Sequence, residues 1–322
     1  MSLQYDPEWH ALAGPSLEGQ AEVLPVGDVA TRRSRFAALF ARYEFKIPDD
    51  IDVQIHKVPA ANGHIIELYQ ISPKTLAESS TDKDKQTPAI LHIHAGGFIS
   101  VNVRNVLPSL VPFVRETKVP FFSVEYRWAP ENPYPAPLED CWTALKYLHD
   151  QAGTLSIDIT RIAVMGESAG GGLAAGLVLL ARDRLLSPPL AKQILIYPML
   201  DDRTTIDKSK GMAVFSINDV FTGWQAYLGK DYCGDNVSPC ASPARVTDVT
   251  GLPELYMDIG QLDLFMQESF DYASKFIATG IQTEFHIYPG VIHAFQRWSP
   301  EARVVKQAFE NRSRAISMLY SK

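Results

Sequence analysis

The spacing of hydrophobic and polar positions changes along the chain. Between residues 21 and 46, apolar side chains recur at helical intervals, which predicts a helical N-terminal arm. From residue 52, two runs of β character flank Asn62-Gly63, a dipeptide typical of tight hairpin turns. Residues 72–88 are polar, charged and proline-bounded, which indicates a surface loop. The chain is therefore expected to begin with helical structure and an antiparallel pair of strands.

After this loop, strands and helices alternate. The expected strands are near-continuous apolar runs at residues 89–95, 119–127, 161–167, 191–199, 254–260 and 283–289. The expected helices have a 3.6-residue apolar period and lie near residues 105–117, 137–150, 168–186, 267–279 and 301–320. Apolar strands that alternate with helices indicate a parallel sheet covered on both faces. We therefore predict an α/β protein with a mostly parallel central sheet, an antiparallel N-terminal hairpin, helices on both faces and a helical cap.

The cap is predicted from an interruption of this alternation. Residues 201–240 have helical spacing and several aromatic side chains, but no strand pattern. We expect this insertion to form the cap together with the N-terminal arm, residues 1–46. Residues 47–200 and 241–322 are then expected to form one core domain.

The composition narrows the classes of partner and the cellular location. The 322 residues carry a net charge of −7 without a basic cluster, which argues against nucleic acid and favours a small, uncharged ligand. The longest apolar run, GLAAGLVLLA, is shorter than the roughly 18 to 20 residues of a membrane span, and the N-terminus lacks the apolar centre of a signal peptide. The spacings of Cys141, Cys233 and Cys240 fit neither a zinc site nor a disulfide framework. We expect a cytoplasmic protein with reduced thiols, for which a homodimer is a compatible assembly.

One serine lies in an unusual local setting. In VMGESAGG, Ser168 stands between Gly166 and Gly170, directly after an expected strand and directly before an expected helix. This is the context of the nucleophile elbow G-x-S-x-G, whose tight turn exposes the hydroxyl near a helix N-terminus. A serine that merely caps a glycine-rich helix is the alternative. A nucleophile also needs a histidine to take its proton and a carboxylate to orient that histidine.

The candidate base and acid both follow late strands. His293 comes a few residues after the last expected strand, so its loop would leave the sheet at the edge where Ser168 lies. Asp258, Asp263 and Glu268 are candidates for the acid. Asp263 is preferred because it lies just after a strand, whereas Asp258 falls inside that strand and Glu268 inside the next helix. Loop residues without a chemical task are the alternative for both His293 and Asp263.

The glycines of LHIHAGGF are candidates for an oxyanion hole. Gly96 and Gly97 follow an expected strand at the same sheet edge, and backbone N–H groups without side chains can approach a reacting oxygen. The N–H of Ala169, directly after the serine, would complete the set. A bare AGG segment more often forms only a turn, and it becomes a strong signal in combination with the elbow.

Six segments of the chain together resemble a known family. HAGGF, EYRWAPENPYPAPLEDCWTALKYL, GESAGG, SPCASP, GLPELYMDIGQLDLF and GVIHAF look like the hormone-sensitive-lipase-like esterases, family IV of the α/β-hydrolase fold, over about residues 85–322. The resemblance implies a carboxylesterase for short to medium acyl chains that works beneath a helical cap without metal or organic cofactor. It further implies a nucleophile, an acid, a base and three oxyanion donors: Ser168, Asp263, His293, Gly96, Gly97 and Ala169.

The chain departs from the family pattern in two places. Ala95 replaces the first glycine of the usual H-G-G-G. The usual D-P-L-x-D-E reads Asp263-Leu264-Phe265-Met266-Gln267-Glu268, without the proline and the second aspartate. Both departures leave the implied site residues in place.

Residues around the implied site carry smaller expectations. Arg127 and Glu131 are expected to form an ion pair, and Glu167 to make local hydrogen bonds at the end of its strand. The aromatic residues of the insertion either line a substrate pocket or pack the cap helices on the core: Phe215, Phe221, Trp224 and Tyr227.

The expected reaction is acyl transfer. Ser168 attacks an ester carbonyl while His293 takes its proton, and water then hydrolyses the acyl-enzyme. One alternative is an amidase, such as an arylformamidase, that uses the same residues on a C–N bond. A non-catalytic small-molecule receptor on this fold is a second alternative, which the presence of all three side chains disfavours.

Overall fold

The structure of the protein is a computed structural model that describes residues 3–17, 23–42, 45–61, 63–75, 86–205 and 215–321. Asn62, most of the expected surface loop at 72–88 and residues 206–214 of the expected insertion lie outside these ranges.

Eight strands of the described chain form one sheet. They are β1 (Ile51–Pro59), β2 (Ile65–Pro73), β3 (Thr87–Ile93), β4 (Phe121–Glu125), β5 (Ile157–Glu167), β6 (Lys192–Ile196), β7 (Glu254–Gly260) and β8 (Thr283–Tyr288). Their spatial order is β1-β2-β4-β3-β5-β6-β7-β8. β2 is antiparallel to both β1 and β4, and all other neighbouring pairs are parallel. The predicted mostly parallel sheet with an antiparallel N-terminal hairpin is confirmed.

Nine α-helices lie within the described ranges. They are α1 (Pro7–Leu17), α2 (Val29–Phe40), α3 (Val103–Thr117), α4 (Ala136–Asp150), α5 (Ala152–Leu155), α6 (Ala169–Asp183), α7 (Ile217–Leu228), α8 (Met266–Thr279) and α9 (Arg303–Ser317). Central strands are buried on both faces because helices cover both sides of the sheet, and β6 is buried at every residue. α6 is buried at nearly every residue because it packs against β5, β6 and α4.

The N-terminal arm differs from its prediction. Only α2 is helical within the described part of residues 21–46, because Pro25 lacks a backbone donor and Gly27 has a φ of +86°. Asp28 then caps α2 by accepting a hydrogen bond from the N–H of Thr31 at 3.0 Å. α1 lies within the arm, residues 1–46, that was expected to be helical, but outside residues 21–46, where the apolar spacing predicted a helix.

The two helices of the arm contact different parts of the molecule. α2 contacts α7 through a 2.7 Å ion pair between Arg32 and Asp219, and the N–H of Gly27 donates to Thr222 Oγ1 at 3.0 Å. α1 instead packs with residues that follow β7 and β8. The division into arm, insertion and core stays a prediction.

Candidate active site

Three predicted site residues follow three strands of the parallel part of the sheet. Ser168 comes directly after β5, Asp263 three residues after β7 and His293 five residues after β8. Because these strands are parallel, their carboxyl ends lie at one edge of the sheet, where open α/β folds bind ligands. The topology therefore places the three residues at one rim.

Ser168 lies in a strained turn. Its backbone has φ 54° and ψ −123°, a conformation that L-residues rarely adopt. The turn is held by its N–H, which donates to the carbonyl of Ile196 at 3.0 Å, and by its carbonyl, which accepts from the N–H of Met199 at 2.9 Å. A Cβ at Gly166 would lie 2.2 Å from the carbonyl oxygen of Gly170, so only glycine fits there. Since the Ser168 side chain makes no capping bond to α6, this serine is not an ordinary helix cap.

The side chains of Ser168, His293 and Asp263, which we call the Ser168 relay, are joined by two hydrogen bonds. His293 Nδ1 lies 2.7 Å from Asp263 Oδ2, and His293 Nε2 lies 3.0 Å from Ser168 Oγ. A carboxylate can only accept, so we assign the ring proton to Nδ1, which leaves Nε2 to accept from the serine hydroxyl. This geometry lets His293 take the proton of Ser168 as a general base.

The structure distinguishes the three candidate acids. Asp263 is 3% exposed, and its second oxygen, Oδ1, accepts from the N–H of Phe265 at 3.0 Å. Asp258 instead forms two bonds of 2.7 Å with the guanidinium of Arg312. Glu268 accepts from the N–H of Leu200 at 2.6 Å. Of these carboxylates, only Asp263 is hydrogen-bonded to His293.

Aromatic rings surround the imidazole of His293. Tyr197 and Phe265 approach it edge-on, with ring centroids 4.8 and 5.2 Å away, and Phe215 stacks on it at 5.5 Å. Phe215 comes from the expected insertion, so one aromatic residue of that segment does line the site. Packing on several sides fixes the orientation of the imidazole, as a general base requires.

Other aromatic residues of the expected insertion pack against the segment that follows β3. Trp224 and Tyr227 are fully buried and contact Phe98, with ring centroids 5.1 and 4.3 Å away. Phe98 follows Gly97 directly. The second expectation for these aromatics therefore holds for Trp224 and Tyr227, and their packing fixes the segment that carries the predicted oxyanion donors.

The predicted oxyanion donors are backbone N–H groups near the serine. Among the hydrogen bonds of the described residues, none has the N–H of Gly96, Gly97 or Ala169 as its donor. Ala169 begins α6, directly after Ser168. The start of α6 also lies against the end of β3, because a Cβ at Gly170 would be 2.2 Å from the carbonyl oxygen of Ile93. These three amides are thus without an acceptor among the described hydrogen bonds, a condition that an oxyanion hole requires.

Glu167 is hydrogen-bonded to a histidine that the sequence did not indicate. Its Oε2 lies 2.9 Å from His92 Nε2, and His92 Nδ1 lies 2.8 Å from Ser123 Oγ. Burial would raise the pKa of Glu167, but the charge and hydrogen bond of His92, with smaller contributions from Arg297 and Arg312, hold that pKa below its usual value. Glu167 is therefore a carboxylate with its own partner.

The expected ion pair between Arg127 and Glu131 is wrong. Arg127 binds Asp140 of α4 instead, with its NH2 group 2.7 Å from Oδ1. Glu131 binds Arg33 of α2 at 2.7 and 2.6 Å. Each charge lies closer to a partner from a packed helix than to its neighbour in the chain.

Tyr197, which contacts the His293 ring, was also not identified from the sequence, and neither were the polar side chains around it. Burial raises the pKa of Tyr197 to about 12, and the side-chain amide of Gln296 donates to its hydroxyl. The buried guanidinium of Arg312 lies 5.8 Å from the Tyr197 ring. Tyr197 directly follows β6, so the argument from strand ends that selected Asp263 could have found it.

One described cavity lies outside the relay. It has a volume of about 380 Å³ and is lined by residues at the ends of β2 and β4, with Arg33, Glu125 and Trp128 among them. Ser168, Asp263 and His293 do not line it. The relay, and not this cavity, contains the serine hydroxyl that is hydrogen-bonded to His293.

The described part of the chain contains neither a candidate metal site nor a candidate membrane span. Within the described ranges, no three His, Cys, Asp or Glu side chains are grouped closely enough to hold a metal ion. The described helices also include none with the length and apolarity needed to cross a bilayer.

Comparison with known proteins defines the class. A family model described as alpha/beta hydrolase fold matches residues 90–297, so the chain belongs to the α/β-hydrolase fold family. The chain is 30% identical over 236 residues to the carboxylesterase NlhH of Mycobacterium tuberculosis, covering 72% of this chain and 73% of that one. It is 29% identical over 239 residues to the esterase LipI of the same organism, covering 73% and 72%.

A solved structure agrees with these relatives. The structure of a bacterial heroin esterase superposes with a TM-score of 0.86 at 32% identity, covering 98% of both chains. The resemblance to the hormone-sensitive-lipase-like carboxylesterases is thereby confirmed, and the protein is an ester-hydrolysing enzyme of that group.

Proposed function

We propose that this protein is a serine carboxylesterase in which the Ser168 relay performs the reaction. The observation that carries the proposal is the pair of hydrogen bonds, 3.0 and 2.7 Å long, that joins Ser168 to His293 and His293 to Asp263 at a strained elbow. A serine hydroxyl is a weak nucleophile until a base takes its proton, and this arrangement supplies the base and orients it.

The reaction proceeds in two halves. Ser168 Oγ attacks the ester carbonyl carbon while its proton passes to His293 Nε2, and Asp263 stabilises the resulting imidazolium. The N–H groups of Gly96, Gly97 and Ala169 donate to the oxyanion, and each such donor typically lowers the barrier by about 3 kcal/mol. The alcohol leaves with the proton of His293, and a water molecule then releases the acid by the same steps.

We propose esters of short to medium acyl chain as substrates. Aromatic rings form the described wall next to the relay, and an apolar wall suits an uncharged acyl group. The relatives, named as carboxylesterase, esterase and heroin esterase, are consistent with a small ester.

We propose that the arm, residues 1–46, and the insertion, residues 201–240, form a cap over the core. The ion pair between Arg32 and Asp219 supports this division, because it joins helices from the two segments. The contact of Phe215 with His293 supports a position of the insertion next to the substrate.

A homodimer and a cytoplasmic location complete the proposal. The edge strand β8 exposes Ile287, and the neighbouring helix α8 exposes Phe270 and Ile277, a surface that a second copy could cover. Light scattering should give twice the chain mass, and Ile277→Glu should reduce it to one chain. The three described cysteines are free thiols, which fits a reducing compartment and can be tested by cell fractionation.

The decisive experiment combines substrate turnover with covalent labelling. We expect the wild type to hydrolyse p-nitrophenyl esters with a preference for short and medium chains, and to cleave matched anilides far more slowly. An organophosphate should block this activity and leave its adduct on the peptide that contains Ser168. Preference for the anilides would identify an amidase, and an unlabelled, inactive wild type would indicate a receptor.

A further inference from the structure

Helix α1 and the residue before it contact the loop that carries His293 on both sides of that residue. The indole Nε1–H of Trp9 donates to the carbonyl of Phe295 at 3.0 Å. The backbone N–H of Asp6 donates to the carbonyl of Gly290 at 2.8 Å. Because His293 lies between Gly290 and Phe295, one short segment fixes the loop on both sides of the candidate base.

Trp9 also completes an apolar cluster behind the relay. Its side chain is fully buried and shares this cluster with Ile292, directly before His293, and with Leu262, directly before Asp263. The N–H of Leu262 donates to the carbonyl of Val291 at 3.0 Å, so the two loops are bonded to each other as well. The residues directly before the acid and the base therefore belong to the same buried cluster as the Trp9 indole.

The segment that contains α1 is itself firmly attached. Asp6 Oδ1 accepts from the N–H of Trp9 at 2.7 Å and thus caps the helix. Glu8 forms a 2.6 Å ion pair with Arg303, the first residue of α9. Gly290 has a φ of +70°, and a Cβ there would lie 2.2 Å from the backbone nitrogen of Asp6, so the segment lies directly against the loop.

We infer that α1 is a positioning element of the active site: Trp9 holds the His293 loop so that Nε2 stays within hydrogen-bond distance of Ser168. This inference rests on the proposed function, because it assigns Nε2 the task of taking the serine proton. Displacement of a reacting group by about 1 Å can lower a rate on the order of 100-fold. Trp9 lies behind the relay, so its loss should lower kcat and leave KM nearly unchanged.

Two substitutions and one matched control test this role. Trp9→Phe keeps an aromatic ring in the cluster but lacks the N–H donor, whereas Trp9→Ala removes both. Leu12→Ala is the control, because Leu12 lies on the same helix and is 51% exposed. With a short-chain p-nitrophenyl ester, we expect kcat to fall about 10- to 100-fold in Trp9→Ala and several-fold in Trp9→Phe. The control should match the wild type.

Two further measurements separate positioning from general damage. Thermal unfolding shows whether each variant is folded at the assay temperature, and if Trp9→Ala is not, Trp9→Phe decides. The downfield ¹H resonance of the proton between His293 and Asp263 should broaden in Trp9→Phe, whatever bond the protein hydrolyses.

The outcomes distinguish the inference from the proposed function. Unchanged kcat and an unchanged proton resonance in folded Trp9 variants would overturn the inference, and so would a raised KM at constant kcat, which would assign α1 to substrate binding. In both cases the wild type would still hydrolyse the ester and be labelled at Ser168. A wild type that is neither active nor labelled would overturn the proposed function, and the catalytic role of α1 with it.

Discussion

The rim of the sheet and its interior contain the same three kinds of side chain. At the rim, the Ser168 relay joins a serine, a histidine and a carboxylate through bonds of 3.0 and 2.7 Å. In the interior, Ser123 of β4, His92 of β3 and Glu167 of β5, which we call the His92 relay, are joined by bonds of 2.8 and 2.9 Å. Side-chain identity and hydrogen-bond length therefore do not distinguish a reactive serine from a structural one.

The two relays differ in backbone and access. Ser123 and His92 are fully buried within regular strands, where no substrate can reach them. Ser168 lies in a left-handed turn at the start of α6, next to N–H groups that have no other acceptor among the described residues. In the proposed mechanism, reactivity depends on the strained turn and on the free amides. The interior of a sheet cannot provide free amides, because its N–H groups bond neighbouring strands.

The same substitution in both serines should give the largest contrast. Ser168→Ala is expected to lower kcat on the order of 10⁶-fold, because it removes the nucleophile. Ser123→Ala should keep kcat within a few-fold but lower the free energy of unfolding by about 1 to 3 kcal/mol, because His92 loses a buried partner. Ester hydrolysis and urea unfolding of both variants measure the two effects. A large loss of kcat in folded Ser123→Ala would mean that the His92 relay takes part in the reaction.

The next largest contrast in kcat is expected when each of the two carboxylates is replaced by its amide. Asp263→Asn should lower kcat on the order of 10⁴-fold, because the amide can hold His293 in the wrong tautomer. Glu167→Gln should lower kcat less than about 10-fold, since Glu167 bonds His92 and not His293. Equal losses in the two variants, measured with the same ester, would contradict the assignment of Asp263 as the acid.

A smaller effect on kcat is expected from a methyl group added next to the segment that contains Gly96 and Gly97. A Cβ at Gly223 of α7 would lie 2.8 Å from the carbonyl oxygen of Gly97, so Gly223→Ala should shift Gly97 and its N–H group. We expect kcat to fall on the order of 10-fold with little change in KM, because the donor acts on the oxyanion. Ala226→Ser is the control, because it changes the same helix, α7, at a position without the close approach to Gly97. Gly229→Ala is unsuitable as a control, because Gly229 has a positive φ that disfavours alanine.

The smallest effect concerns another buried histidine, His94, and appears in stability alone. Burial lowers the pKa of His94 from 6.5 to about 4. Between pH 6.5 and about 4, His94 is therefore protonated in the unfolded chain but neutral in the folded protein. As the pH falls through this range, the free energy of unfolding of the wild type should decrease by about 1 to 3 kcal/mol. In His94→Gln this loss should be smaller, as urea unfolding at several pH values would show. Equal pH dependence in both proteins would indicate that His94 is readily protonated in the fold.

Glu125 should act in the opposite direction. Burial raises its pKa from 4.5 to about 7, so its contribution to stability is lost as the pH rises through that range. Glu125→Gln serves as the control for His94→Gln, because the two groups act with opposite sign over overlapping ranges of pH: it should remove the loss of stability between pH 4.5 and about 7 and so steepen the rise of stability with pH that His94 causes.

Features that depend on the order of the elements along the chain, or on a regular apolar spacing within one element, could be predicted from the sequence. Ser168, Asp263 and His293 could be selected because each follows an apolar strand and parallel strands end at one edge. α6 and β7 were recognised within a few residues, because their apolar periods are long and uninterrupted.

Contacts that depend on packing between distant segments could not be predicted. The His92 relay needs the registers of β3, β4 and β5, and the sequence does not give them. Glu131 pairs with Arg33, 98 residues away, because α2 packs over that segment. The bounds of α1 were not predicted because Trp9 and Ala13 are the buried apolar residues in the described part of this helix, too few positions to show a period.

The left-handed backbone of Ser168 bears on how a bound substrate could be trapped for crystallography. Alanine at this position would remove the hydroxyl but keep a side chain in a conformation that disfavours one. Glycine would remove both and relieve the strain of the elbow, so Ser168→Gly is the better variant for capturing an intact ester at the proposed site.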